Sequence, residues 1–329
     1  MKLWRVLLVL LLFLCGATAG AGYWWLNRPL PLAADTVETS IEFGTSPRDI
    51  ATQWVGAGVQ SSPILLYEWF RWSGESRKIR AGSYEIGRGT TPVALLNKMV
   101  RGDETLAVVR FTEGWTFRQM RIELAKAEAL KPTTSAMSDA EIMQAIGAPG
   151  VPPEGRFFPD TYAYSKGSAD LAVLARAYRA MQQRLQGAWA ERTPDTPLKT
   201  LDEALTLASI VEKETGQSAD RGRVAGVFVN RLRVGMPLQT DPSVIYGLGA
   251  SFDGNLRKRD LQADTPYNTY TRGGLPPTPI AMPGKLALLA AVRPEPTKAL
   301  YFVSRGDGSS QFSETLAEHN RAVNRYQRK

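Results

Sequence analysis

Two glutamates in the second half of the chain, Glu212 and Glu214, are candidates for acid–base chemistry. They flank Lys213 at the end of a segment that opens with the capping pair Thr200 and Glu203 and has the period of an amphipathic helix. Helical residues two apart point about 160° apart, so these carboxylates cannot form a pair with each other. The negative end of a helix raises the pKa of a glutamate, as a general acid requires. Helical phase does not choose between the two glutamates, and a solvated helix end is the alternative.

The loops that follow this helix are dense in amides, hydroxyls and aromatic rings. Prolines at 242, 266 and 276 stiffen them. Sugar hydroxyls need polar partners and sugar rings stack on aromatic faces, so these loops suit a saccharide. Polar loops that only satisfy their own backbone are the alternative. The predicted substrate-binding residues are Gln239, Thr240, Asp241, Tyr246, Asn268 and Tyr270.

Composition excludes several classes of site. The chain has one cysteine and one histidine among 329 residues, which excludes an internal disulfide framework and a multi-cysteine zinc or iron–sulfur site. We therefore expect no metal and no cofactor. The net charge is +8, but lysine and arginine are scattered, so we expect no nucleic-acid partner. Basic charge also suits anionic lipid or an anionic wall polymer.

The N-terminal segment is long and apolar. Residues 6–27 carry no charge and follow two basic residues. As a helix they would extend about 33 Å, enough to cross a bilayer core. The basic start favours a cytoplasmic N-terminus, and the aromatic run at 23–25 suits the far interface. We expect residues 1–28 to form a single-pass anchor, with a signal peptide cleaved after 17–19 as the alternative.

A repeated unit follows the anchor. Residues 44–47 and 89–92 both read Gly-Thr, a hydroxyl residue and Pro, which predicts a capped helix start after a strand. A looser third version begins at Gly114. We predict that residues 29–130 form a small strand–helix region that resembles a LysM-type glycan-binding module, with a plain α+β spacer as the alternative.

The second predicted domain covers residues 131–329. We expect a mixed α+β fold there, following a single transmembrane helix and the small α+β subdomain. Residues 131–153, where this domain begins, are rich in Pro, Ala, Ser and Met and have little strand pattern. A Gly-Asp-Gly turn at 306–308 separates the last strand from a closing helix that starts near Glu314. The other predicted elements are helices at 170–185, 201–215, 219–232 and 285–292 and a strand at 299–304.

Several short motifs accompany the two glutamates. They are ASIVEKET at 208–215, VFVNRL at 227–232, LQTDPSVIY at 238–246, YNTY at 267–270, GLPP at 274–277 and EGRFFPDTY at 154–162. With these motifs the chain resembles the YceG-like family of endolytic murein transglycosylases, from the apolar N-terminal segment to the closing helix. Residues 131–150 are the least family-like stretch.

The resemblance implies a bacterial inner-membrane enzyme whose C-terminal body lies in the periplasm. Such an enzyme has a LysM-like subdomain and cleaves nascent peptidoglycan glycan strands within the chain. The catalytic glutamate of the family matches Glu214. A lytic transglycosylase cleaves the bond between N-acetylmuramic acid and N-acetylglucosamine to leave a 1,6-anhydro end. One carboxyl group and a substrate hydroxyl are sufficient for this reaction, and peptidoglycan synthases are candidate partners.

Two other functions remain compatible with these residues. A glycoside hydrolase would pair Glu214 with a second carboxylate such as Asp241 or Asp160. A non-catalytic scaffold of wall synthesis would bind glycan through the N-terminal repeats alone. Analysis of the ends of the digestion products would separate the three functions.

Overall fold

The computed structural model describes residues 2–327 and has an α+β fold. The helices are α1 (Lys2–Asn27), α2 (Pro47–Ala57), α3 (Pro63–Trp72), α4 (Pro92–Arg101), α5 (Phe117–Lys126), α6 (Asp139–Ala145), α7 (Asp170–Ala190), α8 (Leu201–Glu214), α9 (Arg221–Arg233), α10 (Asp241–Leu248), α11 (Lys258–Gln262), α12 (Lys285–Val292) and α13 (Leu316–Tyr326). The strands are β1 (Thr36–Ile41), β2 (Gly82–Gly87), β3 (Leu106–Arg110), β4 (Thr161–Ser165), β5 (Tyr301–Ser304) and β6 (Ser310–Ser313). They pair as β1–β2, β3–β4 and β5–β6.

The chain divides into two compact units. The first contains the residues up to Ala107 together with Glu128–Leu130 and Ala163–Ser168. The second contains Val108–Ala127, Lys131–Tyr162 and the residues from Ala169 onward. This division differs from the expected boundary at residue 130, because the third strand–helix repeat belongs to the second unit.

The first unit begins with the apolar helix α1. Its segment Leu7–Asn27 is 21 residues long and apolar enough to cross a membrane. Both an anchor and a signal sequence would have this length and composition. The end of the helix is part of the folded unit, because Trp25 packs against the buried core and Leu30 N donates to Thr90 O at 2.8 Å.

In the rest of the first unit, α2 and α3 lie between β1 and β2 along the chain, and the two strands pair directly with each other in antiparallel orientation. The predicted helix starts are confirmed: Ser46 and Thr91 cap α2 and α4, and each is followed by proline. Gly44 and Gly89 have φ values of +86° and +93°, which favour glycine and explain why both copies of the motif begin with this residue. The likeness to a LysM module stays a prediction.

The second unit is built around α8. Residues 204–211 are all buried, since α7, α9, α10 and α12 pack around the helix. The apolar face of the predicted amphipathic helix is therefore confirmed, but it is only part of the buried surface of α8. Close packing around residues 204–211 holds α8 in place, and the two glutamates lie in the turn that follows.

Three helices of the second unit were not predicted. Helix α6 lies in the segment 131–153, for which we predicted no element, and begins with a capping box between Ser138 and Glu141. Helix α10 begins at Asp241 and accommodates Pro242 in its first turn, so part of the segment expected to be loop is a helix. The short α11 follows in what was expected to be loop. The remaining predicted helices are present within a few residues of the expected ends, except that α7 continues to Ala190.

Candidate active site

Helix α8 carries Glu214 as its last residue. Thr200 caps the start of the helix by accepting a hydrogen bond from Glu203 N at 3.1 Å. At the other end, Thr215 Oγ1 donates to Val211 O at 2.6 Å. The helix therefore ends at a defined position and presents the Glu214 side chain from a buried scaffold.

The Glu214 carboxyl group has one fixed oxygen. Thr240 Oγ1 donates to Glu214 Oε1 at 2.5 Å, and Thr240 is completely buried. Thr240 is itself held because its backbone N–H donates to Thr269 Oγ1 at 3.0 Å. No described residue donates to Glu214 Oε2, so this oxygen is available to a ligand.

Burial raises the pKa of Glu214 above its ordinary value, and the charge of Asp241 adds to the effect. The hydrogen bond from Thr240 and the charge of Arg231 act in the opposite direction. The negative end of α8 also favours the protonated form. Glu214 thus has the environment of a group that keeps its proton to higher pH than an exposed glutamate.

Glu212 lies in a different environment. Its side chain is only 7% exposed, and its Oε1 lies 3.4 Å from Arg221 Nη2. Gly284 N donates to Glu212 Oε2 at 2.9 Å, just before α12 begins. Burial raises the pKa of Glu212 too, but both of its oxygens have protein partners. Its contacts fasten α8 to α9 and to the segment before α12.

Glu214 lies in a cleft of about 690 Å³ within the second unit. The end of α8, helix α9, the loop before α10 and the β5–β6 hairpin contribute to its walls. One face of α13 completes the lining. Glu212 and Asp160 are not part of this lining, whereas Asp241 is.

Three of the predicted substrate-binding residues line the cleft with Glu214: Gln239, Asp241 and Tyr270. Tyr270 Oη donates to Asp241 Oδ1 at 2.5 Å, so the two loops meet there. Gln239 has a φ of +50°, an unusual value for a residue other than glycine, and its side chain is exposed. Gln239 N donates to Thr269 O at 3.0 Å, which holds this backbone in place.

Asn268 does not line the cleft, although we predicted that it would bind substrate. It is completely buried, and its Nδ2 lies within hydrogen-bond distance of three backbone carbonyls, of which Ala263 O is the nearest at 2.6 Å. Its Oδ1 accepts from Tyr270 N at 2.9 Å. The amide therefore folds the loop that carries Tyr270. The amides and tyrosines of the sequence indicated a loop that reaches the cleft through Tyr270, but they could not separate its buried residues from those that line the cleft.

Tyr246 is also placed away from the cleft lining. Its Oη donates to Glu154 Oε2 at 3.2 Å, and its ring packs edge-on against Tyr267 with centroids 4.9 Å apart. Glu154 is 7% exposed and accepts from Phe117 N at 3.1 Å, at the start of α5. Burial raises the pKa of Glu154 to about 7. This pair connects α5 to α10.

Sequence reasoning missed the second wall of the cleft, which the two loops do not form. Arg231, Tyr301, His319 and Asn320 line it, and none of them was predicted as a site residue. The spacing of 316, 319, 320 and 323 in α13 was the available signal, because these positions share one helix face. Among the described residues, no group of three or more His, Cys, Asp or Glu side chains is placed to hold a metal ion.

Comparisons with known proteins agree with this architecture. A relative named endolytic murein transglycosylase, from Bacillus subtilis (strain 168), is 31% identical over 308 residues, covering 88% of this chain and 85% of its own length. A protein of the same name from Streptococcus pneumoniae serotype 2 (strain D39 / NCTC 7466) is 26% identical over 352 residues, and the match covers 95% of this chain and 63% of that longer protein.

A solved structure also matches most of the chain. The crystal structure of a YceG-like protein from Listeria monocytogenes aligns with a TM-score of 0.55 at 28% identity, covering 87% of this chain and 98% of the other. The model of the YceG-like family matches residues 39–325. On these grounds the chain belongs to the YceG-like family.

Proposed function

We propose that this protein is an endolytic lytic transglycosylase of peptidoglycan, with Glu214 as general acid and then base. It cleaves the bond between N-acetylmuramic acid and N-acetylglucosamine within nascent glycan strands. The observation that carries the proposal is a half-buried glutamate in a cleft, with one oxygen held by Thr240 and the other free. The names of the relatives from Bacillus subtilis and Streptococcus pneumoniae support the same substrate class.

In the first step, protonated Glu214 donates its proton through Oε2 to the glycosidic oxygen that leaves with N-acetylglucosamine. The bond from C1 of N-acetylmuramic acid to that oxygen breaks, and positive charge develops on C1. A raised pKa keeps the proton on Glu214 until the substrate arrives. The contact with Thr240 holds the carboxyl group in orientation during the transfer.

In the second step, the C6 hydroxyl of the same N-acetylmuramic acid attacks C1. The Glu214 carboxylate removes the hydroxyl proton, so a new bond from C1 to O6 forms and Glu214 returns to its protonated state. No water molecule is consumed. Because the substrate supplies the nucleophile, the reaction needs no second catalytic carboxylate.

The cleft residues have different roles in this proposal. Gln239, Asp241 and Tyr270 contact the glycan beside Glu214, and Thr240 positions the carboxyl group from behind. Asn268 and Tyr246 keep the loops and α10 in place through contacts inside the protein. The loops after α9 therefore contain residues that contact the glycan and buried residues that hold those residues in place.

A two-carboxylate glycoside hydrolase is the second candidate, because Asp241 lines the cleft with Glu214. Its Oδ1 accepts a hydrogen bond from Tyr270, which leaves Oδ2 as the oxygen that could activate a water molecule. The products distinguish the two reactions, since a hydrolase leaves reducing ends and a transglycosylase leaves anhydro ends.

We also propose that α1 anchors the protein in the bacterial inner membrane, with the body in the periplasm. The length and composition of α1 and the basic residues Lys2 and Arg5 support this orientation. An anchored enzyme would meet glycan strands as they emerge, beside peptidoglycan synthases. Glycan binding by the first unit would fit the same location.

The experiment for the proposed function uses the full chain in detergent and glycan strands of narrow length distribution. An endolytic enzyme produces fragments of intermediate length at early times, whereas release of disaccharides from one end would contradict endolytic cleavage. Strands that stay intact while bound to the protein would favour the scaffold function. The Glu214→Gln variant is the control for contaminating activities.

A further inference from the structure

Besides the two loops, the cleft is lined by a second wall, made by β5, α13 and Arg231 of α9. Leu316, His319, Asn320 and Val323 lie on one face of α13, and with Gln327, just after the helix, they line the same cleft as Glu214. This lining is mixed, with two aliphatic side chains, two amides and one imidazole. A wall of this composition can contact both the apolar and the polar parts of a ligand.

His319 is the single histidine of the chain, and its contacts select one protonation state. Its Nδ1 is enclosed and has no hydrogen-bond partner. An enclosed Nδ1 leaves either a donor or an acceptor unpaired, and an orphaned N–H is the rarer and costlier of the two, so the neutral tautomer with its proton on Nε2 is favoured. Nε2 is then a hydrogen-bond donor and the nitrogen left to meet a ligand.

Two neighbours hold the imidazole in this state. The His319 ring stacks on Tyr301, with centroids 5.2 Å apart and planes 24° apart. The Arg231 guanidinium lies 5.4 Å from the centre of the Tyr301 ring and is fixed by hydrogen bonds to Leu300 O at 2.7 Å and Leu238 O at 2.6 Å. Burial of His319 lowers the pKa of its imidazole, and the positive charge of Arg231 lowers it further.

We propose that this wall is a binding subsite for an N-acetylated sugar of the glycan, in which His319 Nε2–H donates to the carbonyl oxygen of the acetamido group. Asn320 supplies further hydrogen bonds to the same group, and Leu316 and Val323 contact its methyl. An acetamido group has one polar and one apolar end, which matches the two kinds of side chain on this face of α13. The inference rests on the proposed function and identifies the acetamido group as the part of the substrate that the second wall binds.

The first test is nuclear magnetic resonance of the full chain with ¹⁵N-labelled histidine, purified without a histidine tag. Because the sequence has one histidine, the two imidazole nitrogens give the only labelled side-chain signals. The Glu214→Gln variant allows intact glycan to stay bound. We expect the Nε2–H tautomer in the free protein and a shift of the Nε2–H signal on addition of peptide-free glycan tetrasaccharide. A proton on Nδ1, or no shift at glycan saturation, would overturn the proposal.

The second test compares acetylated with de-N-acetylated strands, using strands that are chemically re-acetylated as the ligand control. In the Glu214→Gln background, His319→Phe keeps an aromatic ring beside Tyr301 but removes the donor. It should weaken binding of acetylated strands about tenfold, the effect of one lost hydrogen bond. The variant should also reduce the preference for acetylated over de-N-acetylated strands by about the same factor.

Asn320→Ala should weaken binding of acetylated strands in the same direction, and Asn324→Ala is its matched control. Asn324 is an exposed residue of the same helix that does not line the cleft. If His319→Phe binds both kinds of strand as the parent does, the subsite is refuted while the proposed function stands. If the protein neither binds nor cleaves glycan, both proposals fail.

Discussion

Glu212 and Glu214 differ by two positions in one helix, and both have a pKa raised chiefly by burial. Their surroundings are otherwise different. Glu212 has protein partners on both oxygens, a guanidinium on one side and a backbone N–H on the other. Glu214 has a partner on one oxygen only and lies in the cleft. Burial alone therefore does not identify a general acid, since the proton must also be accessible to a substrate.

The largest expected effect separates these two glutamates by activity. Glu214→Gln keeps the shape of the side chain but removes the transferable proton, so cleavage should fall by at least about a hundredfold, the usual contribution of a general acid. Glu212→Gln should keep most of the activity and instead lower the free energy of unfolding by about 1–3 kcal/mol, because Arg221 loses its partner. Cleavage rates and thermal melting of both variants measure this, and the opposite ranking of activities would refute our assignment.

The second prediction tests the fixed oxygen of Glu214. Thr240→Val removes the hydrogen bond that orients the carboxyl group and lowers its pKa. Turnover should fall about tenfold or more, by loss of one hydrogen bond. Because the pKa of Glu214 rises, the fall in activity at high pH should move to higher pH. Thr215→Val is the matched control, since Thr215 donates to Val211 and not to Glu214. Equal pH profiles for the two variants would contradict the proposed role of Thr240.

The third prediction extends the comparison to a buried glutamate outside the cleft. The pKa of Glu154 is raised from 4.5 to about 7, so between these pH values the folded protein binds more protons than the unfolded chain. Stability should therefore decrease as the pH rises through this window, by up to about 3 kcal/mol, and level off above it. Glu154→Gln should remove this part of the pH dependence. Glu314→Gln, at an exposed position, should not, and denaturant unfolding between pH 4 and pH 8 distinguishes the two.

The smallest expected effects distinguish a loop residue that contacts the glycan, Gln239, from a buried residue that stabilises the loop, Asn268. Asn268→Ala should lower the free energy of unfolding by about 1–3 kcal/mol, because several backbone groups lose their partner. Gln239→Ala should leave the melting temperature unchanged and lower activity about tenfold if Gln239 hydrogen-bonds the glycan. Activity and melting temperature of both variants decide the matter. An unchanged melting temperature for Asn268→Ala would contradict its structural role.

Features of local origin were predictable from the sequence. Hydroxyl caps, prolines at helix starts and glycines at positive φ placed α2, α4 and α8. Those signals depend on a few adjacent residues, so a single sequence is enough to read them. Helix α10 was missed because Pro242 suggests a turn as readily as the first turn of a helix.

The composition of the site depends on tertiary packing. Asn268 and Gln239 are both amides in polar loops, and only the fold shows that one is buried and the other exposed. The wall that contains Arg231 and His319 comes from elements almost 90 residues apart in the chain, which no local pattern connects. Sequence reasoning therefore singled out Glu214 and the loops that reach its cleft, but not the second wall.

The central claim is that Glu214 acts with a hydroxyl of the substrate and without water. The most direct measurement is mass analysis of products formed by the full chain from peptide-free glycan strands in water enriched in ¹⁸O. We predict new ends that are one water molecule lighter than reducing ends and contain no ¹⁸O, and loss of these ends in the Glu214→Gln variant. New reducing ends that carry ¹⁸O would show hydrolysis and contradict the account.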